Sequence, residues 1–194
     1  MANIIDYLDW RGDLTLEDSP FNEVDNLLLA ELSFLDLEGI VPDVGQGKSV
    51  ALREAVAAYF QRNEGQSLSM GVLVPDQIPE MAEKMALSQR FSAMRLDGYR
   101  ACLDTQQEIQ FAALTVDLGN GCLYLSFRGT DDTIVGWKED FNMAFLPIVP
   151  SQRLAVDYIR DVAAPDPRAE LYIGGPPQGG DPAGLGSRFC GARV

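Results

Sequence analysis

The 194-residue sequence contains no histidine. In a Ser-His-Asp triad the imidazole is the general base, and without it the serine hydroxyl is a weak nucleophile. An ordinary serine-hydrolase triad therefore cannot be assembled from any selection of these residues.

Cysteine and positive charge are also scarce. Three cysteines, an odd count without CxxC spacing, indicate no disulfide framework and favour a reducing compartment. Against 29 acidic residues there are only 15 Lys and Arg, so the formal net charge is −14. Nucleic-acid phosphates and anionic lipid surfaces would be repelled by this charge, and we expect no nucleic-acid partner.

Long apolar runs are missing as well. No stretch approaches the roughly 20 apolar residues of a membrane span, and Asp6 and Asp9 stand where a signal peptide needs basic residues followed by an apolar run. We therefore expect a cytoplasmic protein without a membrane span. With 46% hydrophobic residues the chain can build one real core.

The first half of the chain shows helical periodicity. Residues 3–10 form a short amphipathic start, interpreted as a lid or strap, in which Ile4, Ile5, Leu8 and Trp10 share one stripe. Further helices are predicted over about 21–36, 49–62 and 77–91. These helices precede the predicted sheet.

The apolar period changes to about two after residue 95. Strands are predicted at 95–103, 109–116 and 122–127, with Gly98 as a bulge and Leu118-Gly119-Asn120-Gly121 as a hairpin turn, so the three strands should be antiparallel neighbours. Helices follow at about 135–145 and 152–162, and then the strand 170–173. Because the second helix is a crossover, that strand should lie parallel to 123–127. The pattern predicts an α/β fold.

One segment imitates a phosphate-binding loop. VPDVGQGKSV, residues 41–50, ends in Gly47-Lys48-Ser49 before an apparent helix, which would suit a nucleotide phosphate and magnesium. The full pattern needs glycine five residues before Gly47, and Pro42 stands there, with no N–H and no access to positive φ. A surface loop is the favoured interpretation, with nucleotide binding as a weaker alternative.

Three motifs carry a resemblance to a known family. Phe127-Arg128-Gly129-Thr130, followed by Trp137 and Asp140, resembles the FRG[ST]…WxxD stretch of the class-three lipases. NIIDYLDWRGD at 3–13 and FNEVDNLLLAELSFLD at 21–36 are similar to an uncharacterised bacterial lipase-like family, a domain of unknown function in the α/β-hydrolase superfamily. The resemblance covers roughly residues 3–175. It implies an incomplete α/β-hydrolase-like sheet with N-terminal helices. It also implies that the substrate is an acyl ester and that no cofactor or metal is needed.

The resemblance also implies a nucleophile elbow, GxSxG, directly after the last predicted strand. The glycines stand in register at Gly175 and Gly179, but Pro177 occupies the nucleophile position, and proline can neither attack nor take the strained elbow geometry. Thr130 matches the oxyanion-hole residue, and Gln178 would offer the second N–H. Arg128 and Asp140 are interpreted as a structural pair, and Trp137 as a packing anchor.

Composition changes abruptly at the end of the chain. Residues 174–194 hold seven glycines and three prolines, whereas the family implies an apolar helix there. We therefore expect an N-terminal part of a hydrolase-like domain over 1–175 and a Gly/Pro-rich, non-native or disordered tail over 176–194. A reading-frame slip is one account of this tail, and an ordinary disordered C-terminus is its rival.

Three functions follow in order of preference. The first is a lipase- or esterase-like serine-hydrolase-family protein that is inactive as written. The second is a non-catalytic ligand-binding or interaction module, and the third is the nucleotide-binding protein suggested by Gly47-Lys48-Ser49. The sequence assigns no oligomeric state.

Overall fold

The computed structural model describes residues 3–65, 76–104, 109–128 and 150–175, without the side chain of Gln110. Within these ranges the chain forms five α-helices and five strands. The helices are α1 Ile4–Arg11, α2 Glu23–Glu31, α3 Leu52–Arg62, α4 Ile78–Leu87 and α5 Pro150–Ala163, and a 3₁₀ turn, Leu32–Phe34, follows α2. The strands are β1 Val50–Ala51, β2 Arg95–Asp104, β3 Ile109–Gly119, β4 Cys122–Phe127 and β5 Glu170–Gly174.

The strands form one mixed sheet in the order β1-β2-β3-β4-β5. The first four pair antiparallel, while β5 pairs parallel to β4, from Cys122 opposite Glu170 to Ser126 opposite Gly174. This confirms the predicted meander and the parallel fifth strand. The predicted bulge is also confirmed, because the β2–β3 register shifts between Asp97 and Arg100 and Gly98 has φ +64°.

Helices cover both faces of the sheet. On one face, α5 packs through Ala155 and Tyr158 against alternate residues of β3 and β4, including Phe111 and Phe127. On the other face, α1 to α4 pack against Leu114, Val116 and Tyr124. Because successive strand side chains point to opposite faces, residues of β4 divide between the two layers. The α/β class is therefore confirmed.

Two N-terminal helices begin with the same capping arrangement. The side chain of Asn3 accepts from the amide of Asp6, whose carboxylate accepts in return, and Asn22 and Asp25 repeat this pattern at α2. Such reciprocal caps satisfy backbone donors that a helix start leaves open. These caps mark the first residues of α1 and α2, which are two separate helices joined by a loop.

The predicted apolar stripe of the first helix is wrong at Trp10. Ile5 and Leu8 are buried, whereas Trp10 is 76% exposed, under the guanidinium of Arg11. Each residue of an α-helix rotates the side-chain direction by about 100° about the helix axis. A side chain two positions after Leu8 is therefore rotated by roughly 200° and lies on the opposite face. Trp10 therefore takes no part in the core.

The predicted start of the third helix is wrong by three residues. Val50 and Ala51 form β1 against β2, and α3 begins at Leu52. The amides of Leu52 and Arg53 donate to the carbonyls of Met94 and Ser92, at 2.8 and 3.2 Å. Because these carbonyls satisfy first-turn donors, the helix can start directly from the sheet edge.

Candidate functional site

The strands β4 and β5 end side by side at one edge of the sheet. Ser126 lies opposite Gly174 in the parallel ladder, so Arg128 and Gly175 follow directly after two neighbouring strand ends. In open α/β sheets, ligands bind outside the carboxyl ends of the strands. Every site residue that the resemblance implies follows one of these two strands in sequence. We call this edge the β4–β5 carboxyl edge.

Arg128 is held at the start of the chain segment that leaves β4. Its amide donates to the carbonyl of Ala112 at 2.8 Å, which extends the contact with β3 beyond the last strand residue. Its guanidinium carbon lies 5.8 Å from the centroid of the Phe34 ring, a cation–π distance. These contacts fix the direction in which the chain leaves β4, and the pair predicted between Arg128 and Asp140 stays a prediction.

Close contacts at the end of β5 require glycine at position 174. A Cβ atom there would lie 1.9 Å from the Tyr124 hydroxyl and 2.6 Å from Oδ1 of Asn26. The Tyr124 hydroxyl is 2.9 Å from both the carbonyl and Oδ1 of Asn26, so it donates to this residue of α2. Burial raises the pKa of Tyr124 and keeps it a neutral donor. Only glycine leaves room for this contact between α2 and the last residue of β5.

The C-terminal turn of α2 is bound to the end of β4. The buried hydroxyl of Ser126 donates to the carbonyl of Ala30 at 3.1 Å, and the Ser33 hydroxyl donates to the same carbonyl at 2.7 Å. A carbonyl has two lone pairs and can accept both. Ala30, and with it the next residue, Glu31, is thereby placed beside the β4–β5 carboxyl edge.

Glu31 is a buried carboxyl group that the sequence reasoning missed. It is 8% exposed, and its Oε2 has no hydrogen-bond partner among the described residues. Burial raises the pKa of Glu31, because a carboxylate loses its hydration there. Its signal in the sequence was available: a single acid interrupts the apolar run Leu27-Leu28-Leu29-Ala30-Glu31-Leu32.

Six of the predicted site residues lie outside the residues that the structure describes. These are Thr130, Trp137, Asp140, Pro177, Gln178 and Gly179. Their roles, the helix expected at about 135–145 and the tail expected over 176–194 stay predictions. Of the residues implied by the resemblance, the structure places Arg128 and Gly175, and it brings them to the same edge.

The segment that imitates a phosphate-binding loop leads into a strand. Gly45 and Gly47 have φ of +83° and +63°, and Ser49 is followed by β1 rather than by a helix. A phosphate-binding loop needs the N-terminus of a helix directly after its Lys-Ser pair. Nε of Arg95 donates to the Ser49 hydroxyl at 3.0 Å. This local geometry is that of a loop anchored to the sheet edge.

Within 3–65, 76–104, 109–128 and 150–175, no three Cys, Asp or Glu residues are grouped so as to hold a metal ion. None of the helices in the same ranges has the length and apolar character required to cross a bilayer.

Comparison with known proteins identifies the family. A family model described as Mbeg1-like matches residues 85–189, from the end of α4 through all of β2 to β5. Comparisons with curated proteins and with solved structures give no match. The family match covers more than half of the chain and includes both strands of the β4–β5 carboxyl edge. The chain therefore belongs to the Mbeg1-like family, a lipase-like family of unknown function.

Proposed function

We propose that this chain is an α/β-hydrolase-like, lipase-related domain whose ligand is an acyl ester, and that the 194 residues do not hydrolyse it. The observation that carries the proposal is the parallel pairing of β4 with β5, which brings the chain after Phe127 and the chain after Gly174 to one edge. A serine hydrolase needs this neighbourhood, because its oxyanion donors and its nucleophile elbow must meet around one carbonyl group.

The proposed roles divide between the two strand ends. Thr130, after β4, supplies a hydroxyl and an N–H to the ligand's carbonyl oxygen, and Gln178, after β5, supplies the second N–H. Gly175 and Gly179 flank the elbow position. Arg128 supports the loop with Asp140, and Trp137 packs it. The contacts of Arg128 with Ala112 and Phe34 support this arrangement, since a fixed exit from β4 is what an oxyanion loop requires.

Catalytic silence has two separate causes. Pro177 has no hydroxyl to form an acyl-enzyme, and no histidine is present to accept a proton from any serine that replaced it. Oxyanion donors and ligand binding without a triad typically leave a residual acceleration of about 10³–10⁴-fold over water, far below that of an intact triad.

The test combines an active-site label with a substrate. The purified protein, Pro177→Ser and the matched control Pro176→Ser are incubated with a fluorophosphonate probe and with an activated short-chain ester. We expect no stoichiometric labelling and no turnover in any of the three, because the substitution restores a hydroxyl but no base. Labelling or turnover by the unmodified protein would refute the claim of silence.

A ligand-binding module is the second candidate function. Two observations favour it. Pro177 stands at the nucleophile position, and the contact between Tyr124 and Asn26 leaves room only for glycine at position 174, one residue before the elbow. A ligand that binds only the folded state stabilises it by about 2.7 kcal/mol at a hundredfold excess over Kd. We expect a medium-chain acyl compound to raise the melting temperature and magnesium nucleotide to leave it unchanged. The reverse result would favour the nucleotide alternative.

A further inference from the structure

The second half of β2 forms an exposed edge of the sheet. On the outer side of β2, β1 pairs with its first two residues, and the amide of Tyr99 donates to the carbonyl of Pro42 at 3.0 Å. Beyond that point, no strand of the described ranges pairs with residues 100–104 on this side. Ala101 and Leu103 are exposed, and Leu103 reaches 64%, the largest value for a large hydrophobic residue in the described strands. We call residues 100–104 the β2 edge.

The backbone groups of Ala101 and Leu103 point away from the sheet. Ala101 lies opposite Ala112 of β3, and the carbonyl of Ala112 accepts from the amide of Arg128 on the β4 side. In an antiparallel pair, opposite residues either exchange hydrogen bonds or both face away from each other. Because Ala112 faces β4, Ala101 faces outward, and so does Leu103, two residues later. Such a row of N–H and C=O groups is a template for a further strand.

The side chains of the β2 edge are complementary to a second copy of themselves. An antiparallel copy whose twofold axis passes Cys102 sets Ala101 opposite the partner's Leu103. The same axis sets Arg100 opposite the partner's Asp104. Exposed apolar side chains then cover each other on one face of the sheet, and opposite charges meet on the other face. Each of the five residues has its counterpart, and no two like charges face each other.

The backbone selects this register. Ala101 and the partner's Leu103 both face outward, so the pair can exchange two hydrogen bonds, and the twofold axis supplies a second such pair. An axis at Ala101 would need the amide of Tyr99, which is already bound to a loop carbonyl. An axis at Leu103 would set Asp104 opposite the partner's Cys102 and would lose the charge pairing.

We infer that two copies of this chain form a twofold dimer through their β2 edges, with the Cys102 residues of the two copies opposite each other. The contact is short, and interfaces of small area are typically weak and reversible. Arg100 already pairs with Asp43 and Asp161, so its charge selects the register more than it adds affinity. Each copy has a net charge of −14, so the copies repel each other, and added salt should strengthen the dimer.

Sedimentation velocity over a series of protein and salt concentrations measures the dimer Kd. Leu103→Lys places a charge within the edge, and the control Leu87→Lys changes an exposed leucine of α4 with the same change in net charge. Leu103→Lys should raise Kd on the order of tenfold, because the twofold axis applies the change twice. Leu87→Lys should leave Kd within about twofold of the unmodified protein.

Cys102 reports the register directly. The Cα atoms of opposite residues that exchange no hydrogen bonds lie about 4.5 Å apart, which is within the range of a disulfide. The double variant Cys122→Ser/Cys190→Ser retains Cys102 alone and is treated with diamide, which takes up two protons and two electrons as two thiols join. We expect a covalent dimer, with a lower yield when Leu103→Lys is added and an unchanged yield when Leu87→Lys is added.

Three results would overturn the inference. A monomer at every protein and salt concentration would show that a second copy does not occupy the edge. A dimer that both lysine substitutions affect equally, or one that forms no Cys102 disulfide, would lie elsewhere on the surface. If Leu103→Lys did not fold, Asp104→Lys would decide, because it sets a like charge opposite the partner's Arg100 and should also raise Kd. None of these results bears on the proposed acyl ligand, because β3 separates β2 from β4.

Discussion

Arg90 and Asp25 form an ion pair in which the two side chains are 1% and 0% exposed, although 65 residues separate them in the chain. Nε of Arg90 donates to Oδ1 of Asp25 at 2.7 Å. Nη2 of Arg90 donates to Oδ2 of Asp25 as well. Nη1 and Nη2 also reach main-chain carbonyls of the α1–α2 loop, those of Leu14, Thr15, Ser19 and Pro20. One arginine thus satisfies a buried carboxylate and donates to four partly buried carbonyls of the loop.

Removal of Arg90 should be costly. Arg90→Met leaves the Asp25 carboxylate buried without its cation, and breaking a buried pair in this way typically costs about 3–5 kcal/mol. Urea unfolding followed by circular dichroism measures the change. The control is Lys84→Met, which removes the partly exposed partner of Asp9 and should cost at most about 1 kcal/mol. Equal effects of the two substitutions would contradict the buried-pair argument.

Two glycine substitutions should differ in their cause and their size. Gly174→Ala places a methyl group against the Tyr124 ring and Asn26, which α2 and β4 hold in place, so we expect a loss above about 3 kcal/mol or failure to fold. Gly119→Ala meets no atom within 4 Å but keeps φ at +86°, and should cost about 1–2 kcal/mol. Thermal unfolding of both variants tests the order, and a smaller loss at Gly174 would be inconsistent with it.

Glu31 should make stability depend on pH. Its folded-state pKa is raised above the unfolded value, so the native state binds more protons between the two values, and stability falls as pH rises from about 4.5 through the folded pKa. Glu31→Gln cannot ionise. We expect it to gain stability relative to the unmodified protein at pH 8 and to gain little at pH 4, measured by urea unfolding. A difference that does not change with pH would argue against a raised pKa.

The hydroxyl groups of Tyr158 and Thr115 should show a coupled effect. They lie 2.7 Å apart in the layer between α5 and the sheet, and both residues are buried. Tyr158→Phe leaves the Thr115 hydroxyl without this partner and should cost about 1–3 kcal/mol. The double variant with Thr115→Val removes both polar groups, so we expect it to cost less than the sum of the single changes. Additive losses in denaturant unfolding would indicate that the hydroxyls do not interact.

Much of the sheet could be predicted because its signals are local. The change of period after residue 95, the Gly-Asn-Gly turn and the crossover rule together predicted the meander and the parallel pairing of β5. The Arg90–Asp25 pair could not be predicted, since no local pattern relates two charges 65 residues apart. The start of α3 at Leu52 could not be predicted either. The carbonyls that accept from its first amides belong to Met94 and Ser92, which are distant in sequence.

The candidate site was predicted less completely than the fold. The position of Arg128 and Gly175 at one edge follows from the parallel arrangement of β4 and β5, which the crossover rule predicted. Glu31 falls within the helix predicted over about 21–36 and was not among the predicted site residues. Its burial depends on how α2 lies against β4 and β5, through Ser126 and Tyr124, and helical periodicity contains no information on that contact.

The parallel pairing of β5 also affects the order in which the sheet can assemble. The strands β2 to β4 are joined by short connections, whereas 42 residues separate Phe127 from Glu170, and closing a longer loop costs more chain entropy. Non-local pairing of this kind forms late and opens early. Backbone amides of β3 should therefore exchange with deuterium more slowly than those of β5. The edge that would recognise a ligand would then be the part of the sheet with the lowest local stability, and ligand binding would protect it first.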